Sequence, residues 1–234
     1  MLEIKNLYVN IGNLSIIQDV SLKVGNGEIV ALIGANGMGK TTLVRAISKL
    51  NNIKDGKMFL DGEDITDLPA DKIVEKGIIQ VPEGRKLFPQ MSVRENIEMG
   101  AYAKRARAKE KENLEYVFSV FPELVSMQKQ ACGNLSGGQQ QMVAIARSIM
   151  ASPELLILDE PSIGLSPIAT QKMFDAIELI NKSGIGVLIT EQNVQQVLRM
   201  ADTAYAMQQG KIALSGKASE IAANDELKKI YIGM

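Results

Sequence analysis

The segment that decides the fold of this chain reads Gly34-Ala35-Asn36-Gly37-Met38-Gly39-Lys40-Thr41. It follows an apolar run that ends at Ile33 and leads into a stretch with helical spacing, which is the context that the pattern G-x-x-x-x-G-K-[ST] requires. Glycines let backbone N–H groups converge on a phosphate, and the helix start adds partial positive charge. Lys40 adds a full charge, and Thr41 offers a hydroxyl to Mg²⁺. The sequence therefore predicts a phosphate-binding loop that extends to Thr42, the alternative being a glycine-rich turn with an exposed lysine.

A second motif is an apolar run, Leu155 to Leu158, that ends in the acids Asp159 and Glu160. The carboxyl ends of parallel strands line the ligand crevice of α/β folds. We therefore expect Asp159 to hold Mg²⁺, directly or through water, and Glu160 to orient and deprotonate an attacking water. Two solvated acids at a strand end are the alternative, but the phosphate loop upstream favours nucleotide hydrolysis.

Strand-like runs alternate with turn residues along most of the chain. Three of them suggest an antiparallel beginning: Leu2 to Ile11, Ile16 to Val24 and Glu28 to Ile33. Others lack polar alternation and predict buried parallel strands of a central sheet: Gly77 to Val81, Leu155 to Leu158 and Gly186 to Ile189. Thr203 to Ser215 reads as a hairpin that turns at Gln209-Gly210. The pattern predicts an α/β core with a mostly parallel sheet.

Residues from about Leu87 to Ala151 are rich in helical pattern without a convincing strand, which predicts a helical insert in the core. Within it, Leu135-Ser136-Gly137-Gly138-Gln139 precedes apolar residues at helical spacing. A helix that begins with a serine cap and two glycines has open N–H groups and can bind an anion. On amphipathicity alone, an ordinary capped core helix is the favoured interpretation.

Composition excludes several kinds of chemistry. The chain of 234 residues has no histidine and one cysteine, Cys132, so histidine-dependent triads, histidine-ligated zinc and an intrachain disulfide are excluded. The net charge is −1, which provides no overall field for nucleic acid. Glu3 and Lys5 argue against an N-terminal signal segment, and no apolar run approaches the length of a membrane span. We therefore expect a cytoplasmic protein without nucleic acid partners.

The order of these motifs resembles the ATP-binding subunits of ABC transporters, because Leu135–Gln139 ends 20 positions before Asp159 and follows the phosphate loop. The resemblance covers nearly the whole chain. It implies a P-loop NTPase core with an N-terminal antiparallel β subdomain and an inserted helical subdomain. In one ABC domain spanning 1–234, the core would comprise 1–86 and 152–234, and the helical subdomain 87–151. ATP and Mg²⁺ are the implied cofactors.

The resemblance also implies a head-to-tail homodimer or heterodimer of ATP-binding subunits. Ser136, Gly137 and Gly138 of one subunit, with the adjacent Gln139, would close on the γ-phosphate that the other subunit holds. Further segments look like the shorter ATPase of branched-chain amino-acid (Liv-type) uptake systems: Val81–Pro89, Glu95–Tyr102, Pro161–Pro167, Thr190–Asn193 and Tyr231–Gly233. Relatives that serve urea or short-chain amides share most of these segments.

The Liv-type resemblance implies two ATPase subunits, two transmembrane permease subunits and an extracytoplasmic solute-binding protein. The chain would then lie on the inner face of the cell membrane, held there by the permeases. The surface between Glu83 and the helical insert would couple to them, with Phe88 and Pro89 as candidates; a buried Phe88 that braces the loop is the alternative.

Several positions depart from the general ABC pattern, among them Ser166, where many relatives have an aspartate. Ile11 stands where an aromatic residue usually stacks on adenine. Glu83 replaces the metal-contacting glutamine, with Gln80 as the nearest alternative. Gln192 replaces the switch histidine and can donate a hydrogen bond to a γ-phosphate, but it cannot carry charge. An alternative role is therefore a nucleotide-gated subunit whose partner does most of the hydrolysis.

Overall fold

The computed structural model of the chain describes residues 1–224. Within them the strands are β1 (Leu2–Ile11), β2 (Leu14–Val24), β3 (Ile29–Ile33), β4 (Ile53–Leu60), β5 (Glu63–Asp64), β6 (Ile78–Val81), β7 (Leu155–Asp159), β8 (Gly186–Glu191), β9 (Thr203–Gln208) and β10 (Lys211–Lys217). The helices are α1 (Lys40–Ile47), α2 (Ala70–Glu75), α3 (Val93–Glu98), α4 (Lys104–Arg107), α5 (Glu110–Val120), α6 (Gly137–Met150), α7 (Pro167–Lys182), α8 (Val194–Met200) and α9 (Ala218–Ala223).

The first sheet is antiparallel, as predicted, and its strands lie in the order β2-β1-β4-β5. A turn at Gly12, whose φ is +57°, joins β1 to β2. The prediction was wrong for Glu28 to Ile33, because β3 leaves this sheet and pairs in parallel with β8 and β9. All five residues of β3 are buried, so this strand fits between two covered faces rather than at the surface of a hairpin. The pairing of β4 with β1 was not predicted.

The second sheet has the order β10-β9-β3-β8-β7-β6. Its strands β8, β7 and β6 run parallel, as predicted, and β3 runs parallel with them. Successive residues of a strand point to opposite faces. Thus Val30 and Leu32 join one core, shared with α1 and the antiparallel sheet. Ala31 and Ile33 join a second core, shared with α6 and α7. The central sheet is therefore covered on both faces. Because β3, β8, β7 and β6 are parallel, their carboxyl ends lie along the same edge of the sheet.

The chain between β6 and β7 is helical and contains α3 to α6 with short 3₁₀ turns, as predicted. The apolar stripe of α6 is buried as its spacing predicts, and includes Met142, Ile145 and Ile149. The hairpin near the end is also confirmed, because β9 and β10 turn at Gln209 and Gly210, which both have positive φ. Tyr231–Gly233 lies outside the described residues.

Residues 1–224 form α-helices of 4 to 16 residues. None of the helices there has both the length and the apolar character needed to cross a bilayer.

Candidate functional site

The phosphate loop connects the end of β3 to the start of α1. Gly37 and Gly39 have φ values of +77° and +104°, which L-residues with a side chain rarely adopt. A Cβ at Gly39 would also lie 2.9 Å from Ile17 Cδ1. Gly39 is the N-cap of α1 and offers no side-chain cap, so the first N–H groups of the helix are left for a ligand.

Other loop residues hold the loop in place or line its mouth. Met38 is tied to the hairpin, since its carbonyl accepts from Gly210 N at 3.1 Å and its Sδ accepts from Gln209 N at 3.2 Å. Asn36 is exposed, and Ala35 and Met38 are half-buried. A cavity of about 240 Å³ opens at this point, and its lining includes Gly37, Gly39, Lys40, Thr41 and Thr42.

Lys40 is the charged centre of the site, with only 3% of its surface exposed. Its Nζ donates to Gly34 O at 2.7 Å and Ala35 O at 3.3 Å. The same Nζ lies 3.0 Å from Glu160 Oε1. The loop cation and the candidate base therefore neutralise each other in this arrangement, and the alternative of an exposed lysine is wrong.

Asp159 ends β7 in a buried position beside the loop. Its Oδ1 accepts from Thr41 Oγ1 at 3.1 Å and from Thr190 Oγ1 at 2.8 Å. Burial raises the pKa of Asp159; the two threonine hydroxyls oppose this shift, and the nearby charges of Glu160 and Glu83 add to it. A cation beside these carboxylates would relieve the repulsion.

Glu160 has a backbone φ of +46°, an uncommon conformation for a residue with a side chain. Thr190 holds it there, because Glu160 N donates to Thr190 Oγ1 at 2.9 Å and Thr190 O at 3.1 Å. Gln192 Nε2 donates to Glu160 Oε2. The structure thus places the Gln192 amide on the carboxylate of the candidate base, which lies within reach of Lys40.

Glu83 follows β6 by two residues, and β6 lies next to β7. A cavity of about 610 Å³ brings it together with Thr41 and Asp159, and Gln80 lines the same cavity. Both amide atoms of Gln80 are buried without a hydrogen-bond partner among the described residues. Both candidates for the metal contact therefore reach this cavity, Gln80 from within β6 and Glu83 from the loop that follows it.

The donor set fits Mg²⁺ with a bound nucleotide. Thr41 and Asp159 supply a hydroxyl and a carboxylate in direct contact, and oxygen ligands of this kind suit Mg²⁺, which usually keeps waters and phosphate oxygens as well. Residues 1–224 contain no cluster of three His, Cys, Asp or Glu that could form a protein-only metal site.

The start of α6 lies on an exposed part of the helical insert. Ser136 is its N-cap and forms a capping box, in which Ser136 Oγ accepts from Gln139 N at 3.3 Å and Gln139 Oε1 accepts from Ser136 N at 2.9 Å. A Cβ on Gly138 would lie 2.8 Å from Ala169 Cβ, and one on Gly137 would lie 3.1 Å from Arg85 Nη2. No described hydrogen bond or ion pair joins residues 136–139 to the phosphate loop of the same chain.

Ile11, the candidate adenine contact, ends β1 beside the Gly12 turn and is 48% exposed. Its side chain is therefore accessible to a ligand.

Phe88, a candidate for coupling, is 47% exposed, so the alternative of a buried Phe88 is wrong.

Thr190 and Glu191 receive no role from the sequence, although they follow an apolar strand just as Asp159 and Glu160 do. Glu191 is 1% exposed and ties two loops together: its carboxylate accepts from Ser162 N at 3.0 Å and Ser162 Oγ at 2.7 Å. Burial raises the pKa of Glu191, while hydrogen bonds from Ser162 and from backbone N–H groups oppose the shift. Polar residues at the end of a buried parallel strand are the signal that could have found them.

Comparison with known proteins agrees with this geometry. The family model described as "ABC transporter" matches residues 17–163. The "High-affinity branched-chain amino acid transport ATP-binding protein BraG" of Pseudomonas aeruginosa is 38% identical over 100% of both chains. The "Lipopolysaccharide export system ATP-binding protein LptB" of Haemophilus influenzae is 33% identical over 100% of this chain and 97% of its own.

Among solved structures, a nucleotide-free ATP-binding cassette from an ABC transporter has a TM-score of 0.87 and 27% identity, covering 100% of this chain and 99% of that one. The predicted fold is therefore confirmed, and so is an ATPase activity. The chain belongs to the ABC transporter ATP-binding family.

Proposed function

We propose that the chain is the ATP-binding and hydrolysing subunit of an importer for branched-chain amino acids. The similarity to BraG over the full length supports this solute. The similarity to LptB, which is named for export, supports a different cargo and direction at lower identity. Import of urea or short-chain amides is the further alternative. Measuring which of these solutes stimulates ATP turnover of the assembled transporter, with its extracytoplasmic binding protein, tests the choice.

The observation that carries the proposed chemistry is that Lys40 and Gln192 both contact the Glu160 carboxylate. Glu160 and Gln192 directly follow the neighbouring strands β7 and β8, and Lys40 begins α1. A bound triphosphate attracts the Lys40 ammonium, and the Glu160 carboxylate is then free to accept a proton from the attacking water. Gln192 orients that carboxylate through its amide and can donate to the γ-phosphate. Water attacks the γ-phosphorus, the bond to the β-phosphate oxygen breaks, and ADP and phosphate leave.

Thr41, Asp159 and Glu83 are the residues that would hold Mg²⁺ in this site. When bound, Mg²⁺ neutralises charge on the phosphate oxygens. The Thr190 hydroxyl donates to the Asp159 carboxylate and accepts from Glu160 N. One hydroxyl therefore positions both the proposed metal ligand Asp159 and the proposed general base Glu160. Ile11 provides an apolar contact for adenine.

The exposed start of α6 supports a second, composite half of the site. Among residues 1–224, no hydrogen bond or ion pair joins Ser136, Gly137 or Gly138 to the phosphate loop of the same chain. A helix N-terminus favours an anion. In a head-to-tail dimer, this helix start and Gln139 close on the nucleotide that a second ATP-binding subunit holds. The dimer is made of like or unlike subunits.

The permease subunits dock on a groove of about 350 Å³ between the core and the insert. Its rim carries four exposed apolar residues: Leu50, Val74, Met99 and Tyr102. An apolar surface of this kind is typical of a protein interface. Phe88 lies on the loop that follows Glu83. Two such permeases hold the chain at the cytoplasmic face of the membrane; nucleic acid is not a partner.

Mixing two inactive variants tests the composite site. Lys40→Ala removes the loop cation, and Ser136→Arg blocks the helix start, so each chain alone is expected to show only background turnover. In an equal mixture of like chains that pair at random, half of the dimers contain one intact site of two, and about a quarter of wild-type turnover is expected.

The control mixes Lys40→Ala with a chain that carries both changes, because no dimer in that mixture has an intact site. Recovery in the first mixture alone supports the composite site. Background turnover in both mixtures, with dimer formation proven by cross-linking, contradicts it.

A further inference from the structure

The loop after Glu83 has an unusual backbone. Gly84, Arg85 and Lys86 all have positive φ, at +75°, +64° and +46°. Glycine adopts such values freely, but each residue with a side chain pays a conformational cost there. Two neighbouring non-glycine residues in this region persist only where surrounding groups hold them.

Arg147, on the third turn of α6, provides that hold. Its Nη2 donates to Arg85 O and its Nη1 donates to Lys86 O, both at 2.9 Å. A planar guanidinium can bind two neighbouring carbonyls at once, which an ammonium cannot do with the same geometry. Arg147 is half-buried, and within residues 1–224 it forms no ion pair with a carboxylate. Its charged donors are therefore committed to the loop backbone.

Two further contacts join the same loop to the helical insert. Arg85 Nη1 donates to Gln140 Oε1 at 3.1 Å, near the start of α6. Asn96 of α3 is fully buried; its Oδ1 accepts from Phe88 N at 2.9 Å and its Nδ2 donates to Phe88 O at 3.0 Å. The loop beyond Gly84 is therefore attached to the insert, whereas β6 before it belongs to the central sheet.

We infer that Arg147 is a positioning residue, which holds Arg85 and Lys86 in their strained conformation and so fixes where Glu83 enters the cavity shared with Thr41 and Asp159. Because Arg147 and Ser136 lie on the same helix, the Glu83 loop follows α6 when that helix moves, and the backbone joint is Gly84. The effect on turnover rests on the metal role proposed for Glu83; the effect on the loop backbone does not.

Four forms of the full chain test the inference: wild type, Arg147→Lys, Lys86→Gly and the double variant. Arg147→Lys keeps the charge but loses the two-carbonyl geometry. Lys86→Gly relieves the strain at one of the two held residues. The single variant Lys86→Gly is the reference for the double variant, because both lack the lysine side chain. Arg199→Lys is the matched control, since Arg199 is an exposed helical arginine of α8. Thermal unfolding checks that each variant folds.

The first readout is hydrogen–deuterium exchange in the peptide that covers residues 82–91. Arg147→Lys is expected to raise exchange there about tenfold, because opening the loop no longer breaks both bonds. In the Lys86→Gly background, Arg147→Lys is expected to raise exchange much less. The double variant should therefore exchange at nearly the same rate as Lys86→Gly. A structural role in packing α6 alone predicts no rescue by glycine at position 86.

The second readout is ATP turnover as a function of Mg²⁺ concentration, for the chain alone and with its partner ATPase. Arg147→Lys is expected to raise the Mg²⁺ concentration for half-maximal turnover several-fold, and the double variant to lower it again. Unchanged exchange in Arg147→Lys, or a double variant without rescue, overturns the inference. Altered and rescued exchange with unchanged Mg²⁺ dependence supports the hold on the loop and overturns the metal role of Glu83 instead.

Discussion

Two glycine-rich segments, residues 34–41 and 136–139, use glycine for different physical reasons. In the first, Gly37 has a φ of +77° and a Cβ there would meet nothing within 4 Å. In the second, Gly138 has an ordinary helical backbone, but a Cβ would lie 2.8 Å from Ala169 Cβ. Gly37 therefore serves the backbone conformation of a loop, whereas Gly138 serves the close approach of two helices.

The two segments differ as much in charge. The phosphate loop surrounds a buried Lys40 that pairs with Glu160, while the start of α6 offers only a serine hydroxyl, a glutamine amide and backbone N–H groups. One region carries the ionic chemistry, and the other supplies a neutral, pre-formed helix start. Substitutions in the phosphate loop and in the start of α6 are therefore expected to affect different steps, the hydrolysis chemistry and the proposed dimer closure.

The largest expected effect is on the ionic region. Glu160→Gln is expected to lower ATP turnover by about 10²- to 10⁴-fold, the usual contribution of a general base, while nucleotide binding persists because Lys40 remains and loses its competing carboxylate. Steady-state turnover and equilibrium nucleotide binding measure the two effects.

The control is Glu112→Gln, at an exposed position of α5. The variants should be measured in the complex with the partner ATPase, changing one subunit at a time. Turnover that falls only when the partner's glutamate is changed would contradict the assignment and favour the nucleotide-gated subunit.

A smaller effect should distinguish the two kinds of glycine. Gly138→Ala is expected to destabilise the chain by about 1–3 kcal/mol through overpacking against Ala169, and Gly37→Ala by about 1–2 kcal/mol through backbone strain. The destabilisation caused by asparagine should rank differently from that caused by alanine at the two positions. At position 37 it should cost less than alanine because it tolerates left-handed φ, and at position 138 it should cost more because it is larger.

Urea unfolding of the four single variants measures this difference. If alanine and asparagine ranked in the same order at both positions, the physical distinction between the segments would be wrong.

The smallest expected effect concerns Glu191, the buried acid beside the ionic region. The pKa of Glu191 is raised, so the folded chain holds the proton of the Glu191 carboxyl group more tightly than the unfolded chain does. In the unfolded chain the pKa of a glutamate is about 4.5. The cost of the charge is therefore fully present above the folded pKa and is relieved as pH falls through it. Glu191→Gln should therefore gain stability relative to wild type as pH rises above the unfolded pKa.

Glu95→Gln is a control of opposite sign. Hydrogen bonds from Ser92 in the cap of α3 lower the pKa of Glu95, so its contribution is present above the unfolded pKa and is lost as pH falls through the folded pKa. Melting temperatures from about pH 3 to pH 8 measure both variants, because the Glu95 contribution changes below the unfolded pKa and the Glu191 contribution changes above it. A flat difference for Glu191→Gln would show that its carboxylate carries no buried charge.

The parallel strands and the helical insert were predictable because local patterns report them: unbroken apolar runs such as Leu155 to Leu158, and the 3.6-residue spacing of α6. Strand partners were not predictable to the same degree. Glu28 to Ile33 looked like a third strand of the antiparallel beginning, yet β3 lies in the central sheet. Burial on both faces decided this, and burial depends on elements far along the chain, including β8 and β9.

The sequence by itself determined the chemistry, because the residue types in the phosphate loop, the Asp159-Glu160 pair and the capped start of α6 set which charges and donors exist. Only the tertiary structure decided how they meet: Lys40 against Glu160, Gln192 on the same carboxylate, Thr190 between Asp159 and Glu160, and Arg147 on the loop after Glu83. These contacts join residues 30 to 120 positions apart, and no local pattern encodes such distances, since they follow from the order of strands in the sheet.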